Sequence, residues 1–301
     1  MHIPDGFLSP PVWATLDVVA LPAVGWAARR AQRDPDSSRI PLLGVMGAFV
    51  FAAQMINFPV GIGTSGHLVG GALLAVILGP SAAAIVLTAV IALQALIFQD
   101  GGILALGANV VNMAIAGVAA AYLPYRWLGH QWRTPAIFAA GVLSVMSSAC
   151  LALSELLVSG VRIPQRMLWA SLAFFAANAL IEGAITVAAV RAIERLNPGW
   201  VRTPAGSGSR IAGVVAIAAI ILVMGGVLIA SAAPDGIERL AAALGVAGPA
   251  SAWHHAPLAD YELRGIQSLW MRKALAGLAG LVLIYAACAL FGRFLERQRS
   301  A

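Results

Sequence analysis

Charged residues are scarce in this chain. Asp, Glu, Lys and Arg make up 11% of its 301 residues, against about a quarter in soluble domains. Hydrophobic residues account for 60%, and the mean hydropathy is +0.86. A water-soluble core cannot bury that much apolar surface, so the composition excludes a soluble globular protein and places the chain in a bilayer.

Cysteines are few and nucleotide-binding motifs are missing. Cys150 and Cys288 both lie in apolar runs, which excludes a disulfide framework and a thiolate metal site. The sequence has no P-loop glycine pattern and no GxGxxG, so any ATP used in transport must bind another chain. The net charge of +6 comes from short basic segments between apolar runs, which is typical of membrane topology and argues against nucleic-acid binding.

What the chain does have is a series of apolar runs, which predict nine membrane-spanning helices. They lie at 11–28, 40–56, 68–79, 81–98, 103–124, 135–159, 168–192, 211–231 and 273–292. The third is short and ends at Gly79-Pro80, where proline stops a helix or starts the next one. The predicted fold is an all-α polytopic membrane protein, with a seven-helix bundle followed by a two-helix transmembrane hairpin.

Basic residues predict the orientation, because cytoplasmic loops carry the excess of Lys and Arg. With nine spans and the N-terminus outside, the inner segments hold 13 of the 19 basic residues and the outer segments hold 6. The N-terminus and segments 57–67, 99–102 and 232–272 are then expected on the outer face of the cell (inner) membrane, and the C-terminus in the cytoplasm. Residues 1–10 lack the pattern of a signal peptide, so we expect the N-terminus to be retained.

The largest change of composition falls at 197–210, which is rich in Pro, Gly and Ser. It predicts a cytoplasmic linker between a first domain at 1–196 and a two-helix domain at 211–301. The outer loop of the second domain is longer than a plain connection, which indicates a function.

The first two residues form a chelating group if the terminus is free. The α-amino nitrogen of Met1, the amide nitrogen of His2 and the Nδ1 atom of His2 can close a five-membered and a six-membered ring around one metal ion. Planar nitrogen sets of this kind favour Ni(II) or Cu(II). His67 lies on the same predicted face, just before a helix, and is the natural fourth ligand. The Gly-Thr-Ser-Gly stretch at 63–66 allows another segment to approach its backbone closely.

A simpler interpretation stays open for each of these residues. A histidine at a helix entrance is more often an interfacial side chain, and chain termini are often poorly ordered. Pro4-Asp5-Gly6 is strong turn chemistry. A turn there is compatible with both interpretations, because it would direct the terminus back into the bundle.

Polar residues near the outer end of the span that begins at 103 are candidates for holding the ligands. Gln99, Asp100, Asn109 and Asn112 could orient His67 or order the N-terminal segment. The alternative is that Asn109 and Asn112, three apart on one helix face, only bond neighbouring helices.

Ionisable residues inside apolar runs are costly and are functional candidates by default. Asp17, Glu155 and Glu182 are of this kind, and the sequence identifies no partner for them. The outer loop of the second domain contains a further polar group, which either binds an incoming cation transiently or is merely solvated. Its members are His254, His255, Asp260 and Glu262.

Three segments together resemble the substrate-binding (S) component of cobalt/nickel energy-coupling factor (ECF) transporters, the CbiM/NikM family. They are MHIPDGFL at 1–8, NFPVGIGTSGHLVGG at 57–71 and FQDGGILALGANVVNMAIAG at 98–117. A fourth segment, SAAPDGIERLA from Ser231, resembles the PDGLE domain that serves as the small N-type subunit, here fused. Ile237 stands where that motif has Leu, which is a conservative change.

The resemblance implies a seven-helix membrane protein whose N-terminus is inserted into the bundle at a planar four-nitrogen site. Carried over by position, the ligands are the amine of Met1, the amide nitrogen and imidazole of His2, and the imidazole of His67. The implied cargo is Ni2+ or Co2+, with no other cofactor. The implied partners are a membrane-embedded coupling subunit (T component) and two cytoplasmic ATPases, with the N-type module needed for metal loading or uptake. Such a component is not itself an enzyme.

Departures from the family pattern bear on the metal. Cobalt members more often begin MHIMEG and carry SVTGSCSHPTGTGL around the loop histidine, whereas this chain has Pro4-Asp5 and GTSGHLVGG. These differences favour nickel. Two other classes stay as alternatives. A membrane-embedded metalloenzyme needs an open metal position and a general acid or base, and a structural membrane protein has no use for an unextended N-terminus.

Overall fold

The computed structural model describes residues 1–33, 40–61, 64–196, 201, 217, 219–225, 230, 234–245 and 254–300. These residues are mostly helical, and six of their helices are long and apolar enough to cross a membrane. The six are Pro10–Ala31, Pro80–Phe98, Leu106–Leu128, Arg133–Val158, Gln165–Leu196 and Leu269–Phe294. The chain is therefore a multi-pass membrane protein.

The helices follow one another along the whole described chain. The first half contains α1 (Pro10–Ala31), α2 (Ile40–Gln54), α3 (Gly71–Leu78), α4 (Pro80–Leu93), α5 (Leu106–Asn109) and α6 (Val118–Leu128). A π-helical turn, Gln94–Phe98, extends α4, and a second π-helical stretch, Val110–Gly117, joins α5 to α6. The second half contains α7 (Arg133–Val158), α8 (Gln165–Leu196), α9 (Gly236–Leu244), a short 3₁₀ turn (Ala259–Tyr261) and α10 (Leu269–Ser300).

Six of the nine predicted spans correspond to these long helices. The predicted span at 40–56 is the shorter α2 of 15 residues. The one at 68–79 is α3, which has only eight residues, all of them buried. It ends before Gly79-Pro80, as predicted. Its residues are apolar on every face, which is typical of a helix that other helices surround.

Most of the predicted span at 211–231 and nearly all of the linker at 197–210 lie outside the described residues, although 217 and 219–225 are helical. The division into seven plus two spans therefore stays a prediction.

The prediction of an all-α fold misses one small sheet. Strands β1 (Phe58–Gly61) and β2 (Thr64–Gly66) pair antiparallel within the predicted loop at 57–67. Short strands interrupted by Gly and Pro give no clear alternation, so the periodicity of the sequence does not reveal them. The hairpin leads directly into His67.

Helix boundaries follow local chemistry. Ser9 precedes α1 in an extended conformation and Pro10 occupies its first turn, where the missing N–H of proline costs nothing. Arg29 and Arg30 lie in the last turn of α1, where positive charge complements the helix dipole.

The C-terminal helix packs on the first domain. A side chain on Gly280 of α10 would place its Cβ atom 2.3 Å from the Phe51 ring of α2, so glycine is needed for this close approach. Such small residues permit tight helix packing in membranes. The three other segments predicted to share the outer face with the N-terminus all contact the N-terminal segment at one end of the bundle.

Candidate metal centre at the N-terminus

The N-terminal segment is folded into the end of the bundle. Met1, His2 and Ile3 are 5%, 3% and 0% exposed. Asn109 of α5 holds the segment in place, because its Oδ1 accepts the Ile3 N–H at 2.8 Å and its Nδ2 donates to the Ile3 carbonyl at 3.0 Å. The Gly102 N–H donates to the same carbonyl at 2.9 Å. The terminus is thus ordered by specific backbone contacts.

A turn at Asp5-Gly6 follows, as the Pro-Asp-Gly sequence predicts. Asp5 Oδ1 accepts backbone N–H groups of Leu104 at 2.8 Å and Ala105 at 3.3 Å. Gly102 lies so close that a Cβ atom there would be 2.2 Å from Asp5 Oδ1. The segment beginning at Gly101 therefore forms the surface on which the turn rests.

The described glycine of the stretch before His67 packs against a helix. A Cβ atom on Gly66 would lie 2.1 Å from Asn178 Oδ1 of α8, so this glycine permits close packing against a helix. Residues 62 and 63 lie outside the described part of the chain. The close backbone approach to the N-terminal segment occurs at Gly102.

His67 and the terminal amine are in direct contact. The Met1 nitrogen lies 2.6 Å from His67 Nε2. His67 Nδ1 lies 2.9 Å from the Leu68 carbonyl, which assigns the ring proton to Nδ1 and leaves a lone pair on Nε2. Burial, the terminal ammonium and His2 lower the pKa of His67 to about 4. The imidazole is therefore neutral near pH 7, as a metal ligand must be.

The second imidazole lies beside the first. The His2 and His67 rings are inclined by only 9°, with centroids 5.5 Å apart. Within the described residues, His2 Nε2 is buried and has no hydrogen-bond partner, whereas His2 Nδ1 faces a carboxylate.

Two carboxylates border these nitrogens. Asp100 Oδ1 lies 3.1 Å from His2 Nδ1, and Asp100 Oδ2 accepts the Tyr261 hydroxyl at 2.5 Å. Burial would raise the pKa of Asp100, but His2, His67 and the Tyr261 hydroxyl outweigh it and lower the pKa below its usual range. Asp235 Oδ2 accepts the Met1 ammonium at 2.5 Å. Burial also opposes ionisation of Asp235, and the ammonium and His67 keep its pKa below the usual value.

The backbone that follows His67 is anchored by buried side chains of other helices. The Glu182 carboxyl of α8 accepts the N–H groups of Val69 at 2.7 Å and Gly70 at 2.8 Å. Gln54 of α2 donates to the Val69 carbonyl at 2.8 Å. Because Gly70 caps α3, the Glu182 carboxyl lies at a helix N-terminus, where unpaired N–H groups favour it.

The polar candidates predicted around the site divide into separate groups. Asn109 contacts the N-terminal segment, whereas Asn112 donates to Glu155 of α7 at 2.8 Å. Gln99 is exposed and has a left-handed backbone, with φ of 58°, and its Oε1 lies 3.5 Å from the Ala256 N–H. Asn109 and Asp100, which faces His2 Nδ1, are therefore the predicted residues that the structure brings to the N-terminal segment.

The ionisable residues inside apolar runs acquire partners. Asp17 accepts the Gly107 N–H at 2.7 Å and fastens α1 to α5, and Glu155 and Glu182 are paired as described above. In the loop predicted to face outside, Glu262 pairs with Arg272 at 2.5 Å, and His254 Nε2 lies 3.0 Å from the Leu96 carbonyl.

No three His, Cys, Asp or Glu side chains gather as a metal-binding group in the described ranges. The nitrogen groups that the structure brings to His67 are instead the Met1 amine and the His2 imidazole. Sequence reasoning missed Asp235 and Tyr261 as neighbours of the site. For Asp235, the local sequence offers one clue, which is its spacing from Glu238. That spacing predicts the capped start of a helix, but not a contact with Met1.

Comparison with known families finds matches to two family models. Residues 2–200 match the model of the CbiM family, described as a cobalt uptake substrate-specific transmembrane region. The chain belongs to the CbiM family. Residues 209–297 match the PDGLE domain, so this CbiM protein is a fusion of the two, as the sequence motifs predict.

Relatives of this CbiM protein have names that refer to metal transport. A protein of Archaeoglobus fulgidus, named as a fused nickel transport protein NikMN, is 35% identical over 95% of this chain and 96% of its own length. The cobalt transport protein CbiM of Acetoanaerobium sticklandii is 36% identical over 52% of this chain and 67% of its own. The crystal structure of a truncated transition metal transporter has 31% sequence identity and a TM-score of 0.58, over 65% of this chain and 99% of that one.

Proposed function

We propose that this protein is the substrate-capturing component of an ECF-type importer and binds one Ni2+ or Co2+ ion through its own N-terminus. The four donors are the Met1 amine, the His2 amide nitrogen, His2 Nδ1 and His67 Nε2. The observation that carries the proposal is the 2.6 Å contact between the Met1 nitrogen and His67 Nε2.

That distance suits two adjacent donors of a planar site. With metal–nitrogen bonds of about 2 Å, donors at a right angle lie about 2.8 Å apart. The two chelate rings make His2 Nδ1 and the Met1 amine the outer members of a three-nitrogen arc, so the fourth donor falls between them. His67 Nε2 beside the amine, with its ring nearly parallel to that of His2, fits this fourth position.

Charge balance supports the same reading. In the metal-free protein the terminal ammonium carries one positive charge between His67 and the Asp235 carboxylate. Binding a divalent ion through a neutral amine and a deprotonated amide releases two protons and leaves the same net charge of one. Asp100 and Asp235 therefore face an equal positive charge in both states, and the bound ion needs no further counter-charge.

Nickel is the cargo that we favour. A planar set of four nitrogens is typical of Ni(II) or Cu(II). The relative that matches nearly the whole chain is named as a nickel transport protein. That relative is also named as a fused protein, and the departures Pro4-Asp5 and GTSGHLVGG likewise favour nickel.

The transport cycle that follows needs partner chains. The N-terminus, His67 and the 232–272 segment face the outside of the inner membrane, where the ion is captured without its water shell. The ion then passes inward after a rearrangement against a membrane-embedded T component, driven by ATP hydrolysis on cytoplasmic ATPases. The chain itself catalyses no reaction.

Metal analysis and visible absorption of the purified full-length protein test the proposal. We expect one Ni2+ per chain with the spectrum of planar diamagnetic Ni(II), lost in His2→Ala and in His67→Ala. His130→Ala and His255→Ala, which alter histidines remote from the terminus or exposed on the outer loop, serve as matched controls and should keep the ion. Full occupancy in either of the first two variants would refute the ligand set.

A further inference from the structure

Asp235 makes two kinds of contact with its two carboxylate oxygens. Oδ1 accepts the N–H groups of Ile237 at 2.8 Å and Glu238 at 2.9 Å, while Glu238 accepts the Asp235 N–H at 3.1 Å. This reciprocal pair is a capping box that starts α9. Oδ2 is left free of the cap and accepts the Met1 ammonium at 2.5 Å. One side chain thus ties the PDGLE domain to the first residue of the chain.

The backbone around Asp235 is docked at the same place. The Ser65 N–H of β2 donates to the Pro234 carbonyl at 3.0 Å, and Ser65 and Asp235 form a parallel β-bridge. Arg239 of α9 also donates to the Thr64 hydroxyl. The strand that leads into His67 therefore fixes the position of Asp235, and backbone contacts hold its carboxylate beside Met1.

From these contacts we propose that Asp235 is the positioning residue for the terminal amine, holding it against His67 before the metal binds and accepting a hydrogen bond from it afterwards. This inference rests on the proposed function above. It assigns to one residue of the C-terminal domain a direct bond to a metal ligand.

The bond to Asp235 can persist when the ion arrives. In the metal-free protein the amine has two short contacts, to His67 Nε2 and to Asp235 Oδ2. An ion between the amine and Nε2 replaces the first contact, because both nitrogens then bind the metal. A coordinated primary amine still has two N–H groups, so the second contact need not break. Partners of this kind orient metal ligands, and their loss weakens metal binding about 10- to 100-fold.

Two variants separate positioning from folding. In Asp235→Asn the amide oxygen still caps α9, since Asn is as good a cap as Asp, but its NH2 group replaces the oxygen that accepts the ammonium. Glu238→Gln removes one negative charge from the same helix end without touching Met1, and is the matched control. Both are made in the full-length chain and purified in detergent.

The first measurement is the rate at which Ni2+-loaded protein loses its ion to excess chelator. We expect Asp235→Asn to lose nickel about 10- to 100-fold faster than wild type, and Glu238→Gln to stay within about twofold. A rate in Asp235→Asn that equals the wild-type rate, or is slower, would overturn the proposal, because the carboxylate would then matter only to the metal-free state or not at all.

The second measurement needs no metal. Met1 and Lys273 carry the only primary amines of the sequence, so mass spectrometry after acylation reports the accessibility of the terminus with an internal reference. In metal-free Asp235→Asn, labelling of Met1 relative to Lys273 should rise about tenfold, and in Glu238→Gln it should not. Equal labelling in all three proteins contradicts the positioning role. Failure of wild type to bind nickel would instead refute the proposed function and leave this second result to decide the inference.

Discussion

The substitution Glu182→Gln tests how His67, the proposed fourth ligand, is held. Glu182 lies in the middle of α8, is fully buried, and accepts the N–H groups of Val69 and Gly70. Glutamine has the same size but only one oxygen. It keeps one of the two bonds and turns an NH2 group toward the other backbone N–H.

The cost follows from those two contacts. One buried backbone N–H loses its acceptor, and one buried amide N–H gains no partner, each at about 1–3 kcal/mol. We therefore expect a loss of about 3 kcal/mol in the free energy of unfolding and a melting temperature lowered by several degrees. Because His67 precedes Val69 by two residues, the ligand also loses its fixed position, and the Kd for Ni2+ should rise about 10- to 100-fold.

Glu155→Gln is the matched control. Glu155 is also a buried glutamate of a spanning helix, but its partner is the Asn112 side chain, and glutamine retains an oxygen for that bond. Thermal unfolding and equilibrium Ni2+ titration of both variants decide the question. Equal Kd values in Glu182→Gln and wild type would refute the claim that α8 holds the metal ligand through this carboxyl group.

Three further predictions use the same assays. Asn109→Ala removes two hydrogen bonds from Ile3, so Ni2+ affinity should fall about tenfold. The control variant Asn112→Ala should leave the affinity unchanged. Equal losses of affinity in the two variants would contradict the assigned contacts. Gly102→Ala should abolish stable Ni2+ binding, because the added Cβ atom would lie 2.2 Å from Asp5 Oδ1 in the N-terminal turn. The control variant Gly25→Ala places its Cβ atom where nothing lies within 4 Å. It should bind Ni2+ normally and be slightly more stable. The pKa of His67 falls from 6.5 to about 4 on folding, so between these values the unfolded chain binds a proton that the folded protein excludes. Metal-free protein should therefore lose stability as the pH falls from about 6.5 to 4, and a pH dependence undiminished in His67→Ala would show that another group is responsible.

The sequence predicts the long helices well because each depends on a local run of apolar residues. The break at Gly79-Pro80 is equally local and is confirmed. The strands β1 and β2 could not be predicted, since their own residues give no alternating pattern and β2 also contacts Pro234 and Asp235 far along the chain. The predicted span at 68–79 is longer than α3. Neighbouring helices bury α3, so its apolar residues do not mark a segment that faces lipid.

The candidate site divides along the same line. The chelating ability of Met1 and His2 is a property of adjacent residues, so chemistry alone identifies it, and His67 follows from its position on the same face. Asp235 and Tyr261 reach the site through contacts that span most of the chain. Tyr261 and Gln99 both have a left-handed backbone, with φ of 57° and 58°. Tyr261 ends the 3₁₀ turn and Gln99 follows the π-helical turn that extends α4. Only surrounding contacts stabilise such conformations, and no local sequence pattern reveals those contacts.

The central claim is that the N-terminal amine is itself a ligand of the transported ion. The most direct test is to block the Met1 amine by retaining its formyl group, and to measure Ni2+ binding by equilibrium titration and visible absorption. The formyl group removes the free amine from the chelate and leaves every side chain unchanged. We predict that the planar Ni(II) spectrum disappears and that binding becomes undetectable at concentrations that saturate the protein with a free amine. Unchanged affinity with an unchanged spectrum would contradict the account.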